Sequence, residues 1–160
     1  MSDPFEAALP EPHLWFGLLC ESAQIDNRGR ASFFSIFNQI PYLTPPANTG
    51  IPPNAFLRGF LAIGFSGGLG QFSVAVEIRD ADDHTLWQRP TGEWEFEIGP
   101  TGNNSAALIE EVQHWFGQSG RYHFWVRLAP TDRQYQIPFD VGERIGGSIL
   151  RRPGQPDLQL

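Results

Sequence analysis

The sequence predicts an all-β fold: a two-sheet antiparallel β-sandwich of about seven to nine strands, Ig-like or Greek-key in topology. Three observations point there. Apolar and polar residues alternate with period two along several short segments. Glycine, proline, asparagine and aspartate break those segments at short intervals. Hydrophobic residues make up 41% of the 160 positions, with 13 Phe and 5 Trp, which is enough for one core in one domain.

The segments follow in order along the chain. Residues 1–12 are acidic and contain proline, so they read as a tail, with the domain at 13–141. LWFGLLC (14–20) and SFFSIFNQI (32–40) are apolar on both sides, which predicts strands buried on both faces or lying with one face under a loop. IDNRGR between them reads as a hairpin turn. PYLTPPANTGIPPN (41–54) holds five prolines and is expected to be a loop crossing between sheets. FLRGFLAIGF (56–65) is the next strand. In the one after it, Phe72, Val74, Val76 and Ile78 share a face.

Within GEWEFEIGP (92–100), Trp94, Phe96 and Ile98 oppose Glu93, Glu95 and Glu97. SAALIEEVQHWF (105–116) reads as a strand. A short helix capped by Ser105 remains the alternative, because Leu108, Val112 and Trp115 also fit helical spacing. In GRYHFWVRL (120–128), Tyr122, Phe124, Val126 and Leu128 share one face, and His123, Trp125 and Arg127 the other. Ile137, Phe139 and Val141 close the pattern, and residues 142–160 read as a second tail.

Composition excludes several classes. The net charge is -7 and the pI near 4.9, so there is no basic footprint for nucleic acid. Every basic residue is arginine. A phosphate-loop lysine, a Schiff-base lysine and a Ser–Lys pair are therefore absent from this polypeptide. Arginine without lysine also fits the coding bias of a GC-rich bacterial genome. Cys20, the single cysteine, has no internal disulfide partner. The N-terminal residues lack a secretory pattern, and no apolar run approaches the ~20 residues that span a bilayer. The expectation is a cytoplasmic protein without membrane contact or cofactor.

Four groups of residues are candidates for chemistry. The three glutamates stand roughly 7 Å apart along a strand, too far to chelate one cation, and read as its wet side facing arginines on a neighbour. GFSGG (64–68) matches a nucleophile elbow around Ser66, yet that motif needs a helix next and an alternating segment follows. Asp80, Asp82 and Asp83 in RDADDHTLW resemble an oxygen-rich calcium loop, although a hairpin with aspartates at its turn positions explains them as well. The four histidines share no zinc spacing. Trp125, flanked by His123 and Arg127 on an outward face, is suited to stacking on a sugar, anchoring a partner or lying under a loop. Trp87 joins that set.

The stretch CESAQIDNRGRASFFSIFNQI (20–40), the hairpin RDADDHTLW and the later GRYHFWVRL together resemble a family of small bacterial proteins known as a domain of unknown function. The resemblance spans roughly residues 13–141. It implies a β-sandwich and transfers no catalytic residue. Asp82-Asp83 stands where such hairpins commonly carry Asp-Gly.

The function expected from these readings is non-catalytic: a binding or assembly module for another protein, through Trp125, His123, Arg127 and Trp87, with self-association also open. A carbohydrate-binding sandwich using an exposed tryptophan and a hydrolase with Ser66 as nucleophile are the competing expectations.

Overall fold

The computed structural model describes residues 10–42, 48–50, 54–100 and 105–143. Among them there are ten strands and no helix: β1 (His13–Ile25), β2 (Ala31–Phe37), β3 (Gln39–Tyr42), β4 (Ala55–Ser66), β5 (Gly70–Arg79), β6 (Thr85–Gln88), β7 (Trp94–Ile98), β8 (Ser105–Phe116), β9 (Gly120–Ala129) and β10 (Arg133–Glu143). They form two sheets. The first has the order β2-β1-β4-β8. The second runs β3-β10-β9-β5-β6, with β7 also paired to β5.

The count exceeds seven to nine because two strands have only four residues. β3 takes the end of SFFSIFNQI, separated from β2 at Asn38, and runs two residues into the proline-rich stretch, while β6 starts within the aspartate hairpin segment. The all-antiparallel expectation also needs correcting, since β3 runs parallel to β10, from Asp140↔Gln39 to Glu143↔Tyr42. Ahead of β1, the Pro10 carbonyl accepts from Leu69 N–H at 2.9 Å, and Glu11 pairs with Arg133 at 2.8 Å. At the other end, Gly142 and Glu143 are the last residues of β10. Residues 101–104 and most of the proline-rich stretch lie outside the described residues.

Local chemistry sets the turns. The Asp26 carboxylate accepts from the backbone N–H of Arg28 (2.9 Å) and Arg30 (2.8 Å), closing the β1–β2 hairpin around Gly29. Gly67 and Gly68 take φ of 73° and 82° between β4 and β5, a region that favours glycine. A Cβ on Gly68 would sit 2.5 Å from Pro12 N. The glycines of GFSGG therefore serve a tight passage from one sheet to the other.

Alternation then fills the space between the sheets. Leu57, Leu61, Ile63 and Phe65 of β4 meet Val74, Val76 and Ile78 of β5 and Phe124, Val126 and Leu128 of β9 in one buried cluster. Rings tie the layers together: Phe65 stacks on Phe96 at 5.6 Å, and Phe116 meets Tyr122 at 4.7 Å. Each fully buried ring of this kind contributes about 2–3 kcal/mol through removal from water.

The segment 105–116 is a strand. Its buried positions are Leu108, Val112 and Phe116, whereas helical spacing would have turned Trp115 inward. Glu110, on the same inward face, is held by Arg89 Nε at 2.8 Å, with both side chains under one-fifth exposed.

Candidate functional site

Outward positions of the six-stranded sheet carry most of the residues singled out in the sequence. β9 presents Arg121, His123, Trp125 and Arg127 on that side. Trp125 is covered by its neighbours: the Arg79 guanidinium lies 3.8 Å from its ring centroid, Arg127 lies 5.9 Å away, and Nε1 donates to Gln134 at 3.2 Å. It is left 9% exposed. Glu77 fixes Arg79 from below at 2.9 Å. His123 is equally buried, with Nε2 3.4 Å from Asp83 Oδ1 but without hydrogen-bond alignment. Arg127 reaches Glu93 at 3.3 Å. The structure thus brings Trp125, His123 and Arg127 together as a packed patch. Trp87 does not join them, because it pairs with Ile78 and packs against the core.

The glutamate row divides. Glu93 accepts from Ser73 Oγ at 2.9 Å and from Arg127. Glu95 and Glu97 line an open groove with Gln71, Ser73 and Pro130. No arginine pairs with these two among the described residues.

The aspartate hairpin is internally satisfied. Asp80 Oδ1 accepts from the backbone N–H of Asp82 and of His84, each at 2.9 Å, and its Oδ2 lies 3.1 Å from His84 Nδ1. These bonds, led by the His84 N–H, hold the Asp80 carboxyl below its ordinary pKa. Ligand atoms of Asp80, Asp82 and His84 come within 4.8 Å of one another, but Asp80 already spends its lone pairs on the turn. Asp83 turns away toward His123, and Asp140 is engaged by Arg121 at 2.9 and 3.2 Å.

Ser66 ends β4, where its Oγ lies 3.0 Å from His13 Nε2. The two residues are register partners across β1 and β4, so the contact follows from strand pairing. β5 comes next where an elbow needs a helix. Among the described residues no carboxylate hydrogen-bonds His13, and Glu11 is taken by Arg133. Cys20 is fully buried with Sγ 3.7 Å from the Phe60 carbonyl, and burial pushes its thiol pKa up. A nucleophile would need the opposite shift.

The feature that sequence reasoning missed lies on the other sheet. Register places Ile36, Cys20 and Phe60 in one row on the outward side of β2, β1 and β4, and Leu18, Ala62 and Ile109 in the next. Phe16 lies over Gly64, where a Cβ would fall 2.2 Å from its ring. Trp15, Ile36, Trp115 and Phe34 are 68%, 62%, 59% and 47% exposed. Trp115 stacks on Phe56 at 4.4 Å. The expectation that these strands are covered on both faces is corrected: nothing among the described residues covers the outer one. The signal was present in LWFGLLC and SFFSIF, whose second apolar face requires an occupant.

No family model and no curated protein matches this chain. Among the described residues there is no helix long and apolar enough to cross a membrane.

Proposed function

We propose that the protein is a non-catalytic binding or assembly module whose partner is a protein, built on a Greek-key sandwich. One observation carries the functional reading: the outward side of the four-stranded sheet gathers Phe16, Leu18, Phe60 and Ile109 with four large side chains, Trp15, Phe34, Ile36 and Trp115, that are about half or more exposed. Contiguous patches of this kind mark interaction sites in soluble proteins. Repeated passage between sheets, from β2 to β3, β3 to β4, β4 to β5, β7 to β8 and β8 to β9, supports the Greek-key connectivity. The likeness to the small bacterial sandwich family agrees with that fold and adds no activity.

The contact set shifts accordingly. Trp125, His123 and Arg127 have their polar groups turned on one another, which disfavours a sugar stacking on Trp125. Trp15 and Trp115 are the open indoles of the described residues. The test is affinity capture with the wild-type chain and with Ile36→Glu. A partner held by the first and lost by the second is expected. Capture that ignores the substitution moves the site elsewhere.

A serine-hydrolase reading has the Ser66–His13 contact in its favour. Labelling of Ser66 by a fluorophosphonate, abolished in His13→Ala, would transfer the assignment to that class. With no carboxylate on His13 among the described residues and a strand where the motif needs a helix, we expect no labelling.

A further inference from the structure

We infer that the outer face of the β2-β1-β4-β8 sheet pairs with the same face of a second copy of this chain, forming a two-fold symmetric dimer. The inference rests on the reading of that face as a protein-binding surface, and it names the partner.

Size is the first argument. At the usual strand spacing and rise, these strands of 7, 13, 12 and 12 residues cover about 700 Å². A standard stable interface buries roughly 600–1,000 Å² per partner. The face falls inside that range, towards its smaller end.

Charge is the second. The chain carries a net charge of -7, which opposes self-association wherever the acids gather. Outward positions of these four strands hold one cation, Arg58, and one anion, Glu111, in neighbouring cross-strand rows. Arg58 makes no ion pair among the described residues. The face is neutral in an acidic molecule, so two copies meet there without net repulsion.

The third argument is what the strand edges do. An open edge is the other common route to self-pairing. β8 is a long edge strand, but it turns the charge of Glu110 inward toward Arg89. β2 has seven residues and is interrupted at Ser35, where φ is 53°. β3 has four residues including Pro41, and β6 and β7 have four and five. Every edge is short, interrupted or guarded, while the face is not. Its apolar centre of Leu18, Phe60, Ala62 and Ile109, flanked by Ser22, Gln24, Arg58 and Gln113, has the apolar-core and polar-rim layout of protein interfaces. A second copy is also the one partner present whenever the chain is.

The relief suits such a contact. Cys20, Ala62 and Gly64 form a buried floor, and Ile36 stands above it at 62% exposure. Two-fold related copies set the raised side chains of one over the floor of the other.

Analytical ultracentrifugation of the full chain tests this, with Ile36→Glu, Phe34→Glu and the control Leu86→Glu, whose apolar side chain is exposed on the other sheet. The wild type and the control are expected at twice the 17.9 kDa monomer mass. The two face variants are expected as folded monomers by circular dichroism, with dimerisation weakened about 100-fold or more. Acrylamide quenching of the wild type, to which the open Trp15 and Trp115 contribute, needs no substitution and is expected to fall as protein concentration rises. A wild-type dimer indifferent to both glutamates and a concentration-independent quenching overturn the assignment of the face. A wild-type monomer at every concentration overturns the second copy as partner. If that monomer still captures another protein in an Ile36-dependent manner, the binding-module reading survives; without such capture it fails as well.

Discussion

The outer surfaces of the two sheets are built from the same alternating strands and end in opposite states. On the six-stranded sheet, arginines and carboxylates interlock: Arg79 with Glu77, Arg127 with Glu93 and Arg121 with Asp140, at 2.9, 3.3 and 2.9 Å. Trp125, which lies among them, is roofed by guanidinium groups. On the four-stranded sheet, the same strand positions hold Phe16, Leu18, Ile36, Phe60 and Ile109. Alternation decides which residues share a face. It does not decide whether that face meets water, and here the chain has placed its ion pairs on one layer and left the other apolar and uncovered among the described residues.

That contrast can be broken by substitution. The largest effect is expected where a charge has been turned inward. Glu110→Ala strands Arg89 between the sheets and is expected to cost about 3 kcal/mol in urea unfolding. A change below 1 kcal/mol would show that water reaches the pair. A smaller effect is expected from Arg79→Ala, which lifts the cover from Trp125. Loss of the cation–π contact is expected to cost about 1 kcal/mol and to raise acrylamide quenching of that indole; unchanged quenching would assign the cover to other groups. The smallest concerns Glu95→Ala, on the open groove. Stability within about 0.5 kcal/mol of the wild type is expected, and a larger loss would mean that this carboxylate has a partner.

Much of the fold was legible because burial on one face leaves a period-two signature. Phe72 to Ile78 and Tyr122 to Leu128 are examples, and both occupy the core as the alternation requires. Short strands escaped, because the four residues of β3 and β6 carry too little pattern to separate from turn chemistry. The candidate site was less legible. Trp125 reads as outward and is outward, but the guanidinium above it comes from Arg79, 46 positions earlier in the sequence, and cross-strand register is not written in local pattern. The same holds for His13 and Ser66, whose contact depends on how β1 lies against β4. The apolar outer face was visible as composition and misassigned as burial, since sequence does not distinguish a side chain covered by its own chain from one awaiting another.

The short stretch from Ala31 to Tyr42 is woven into one layer as β2 and, after Asn38, into the other as β3. Its second half finds its neighbour only in β10, where the Asp140 N–H meets the Asn38 carbonyl at 2.8 Å. Emerging from a ribosome, the chain must therefore hold one half of a stitch ready until the tenth strand has been translated. The pairing joins positions about a hundred residues apart, the kind of non-local contact whose closure slows folding.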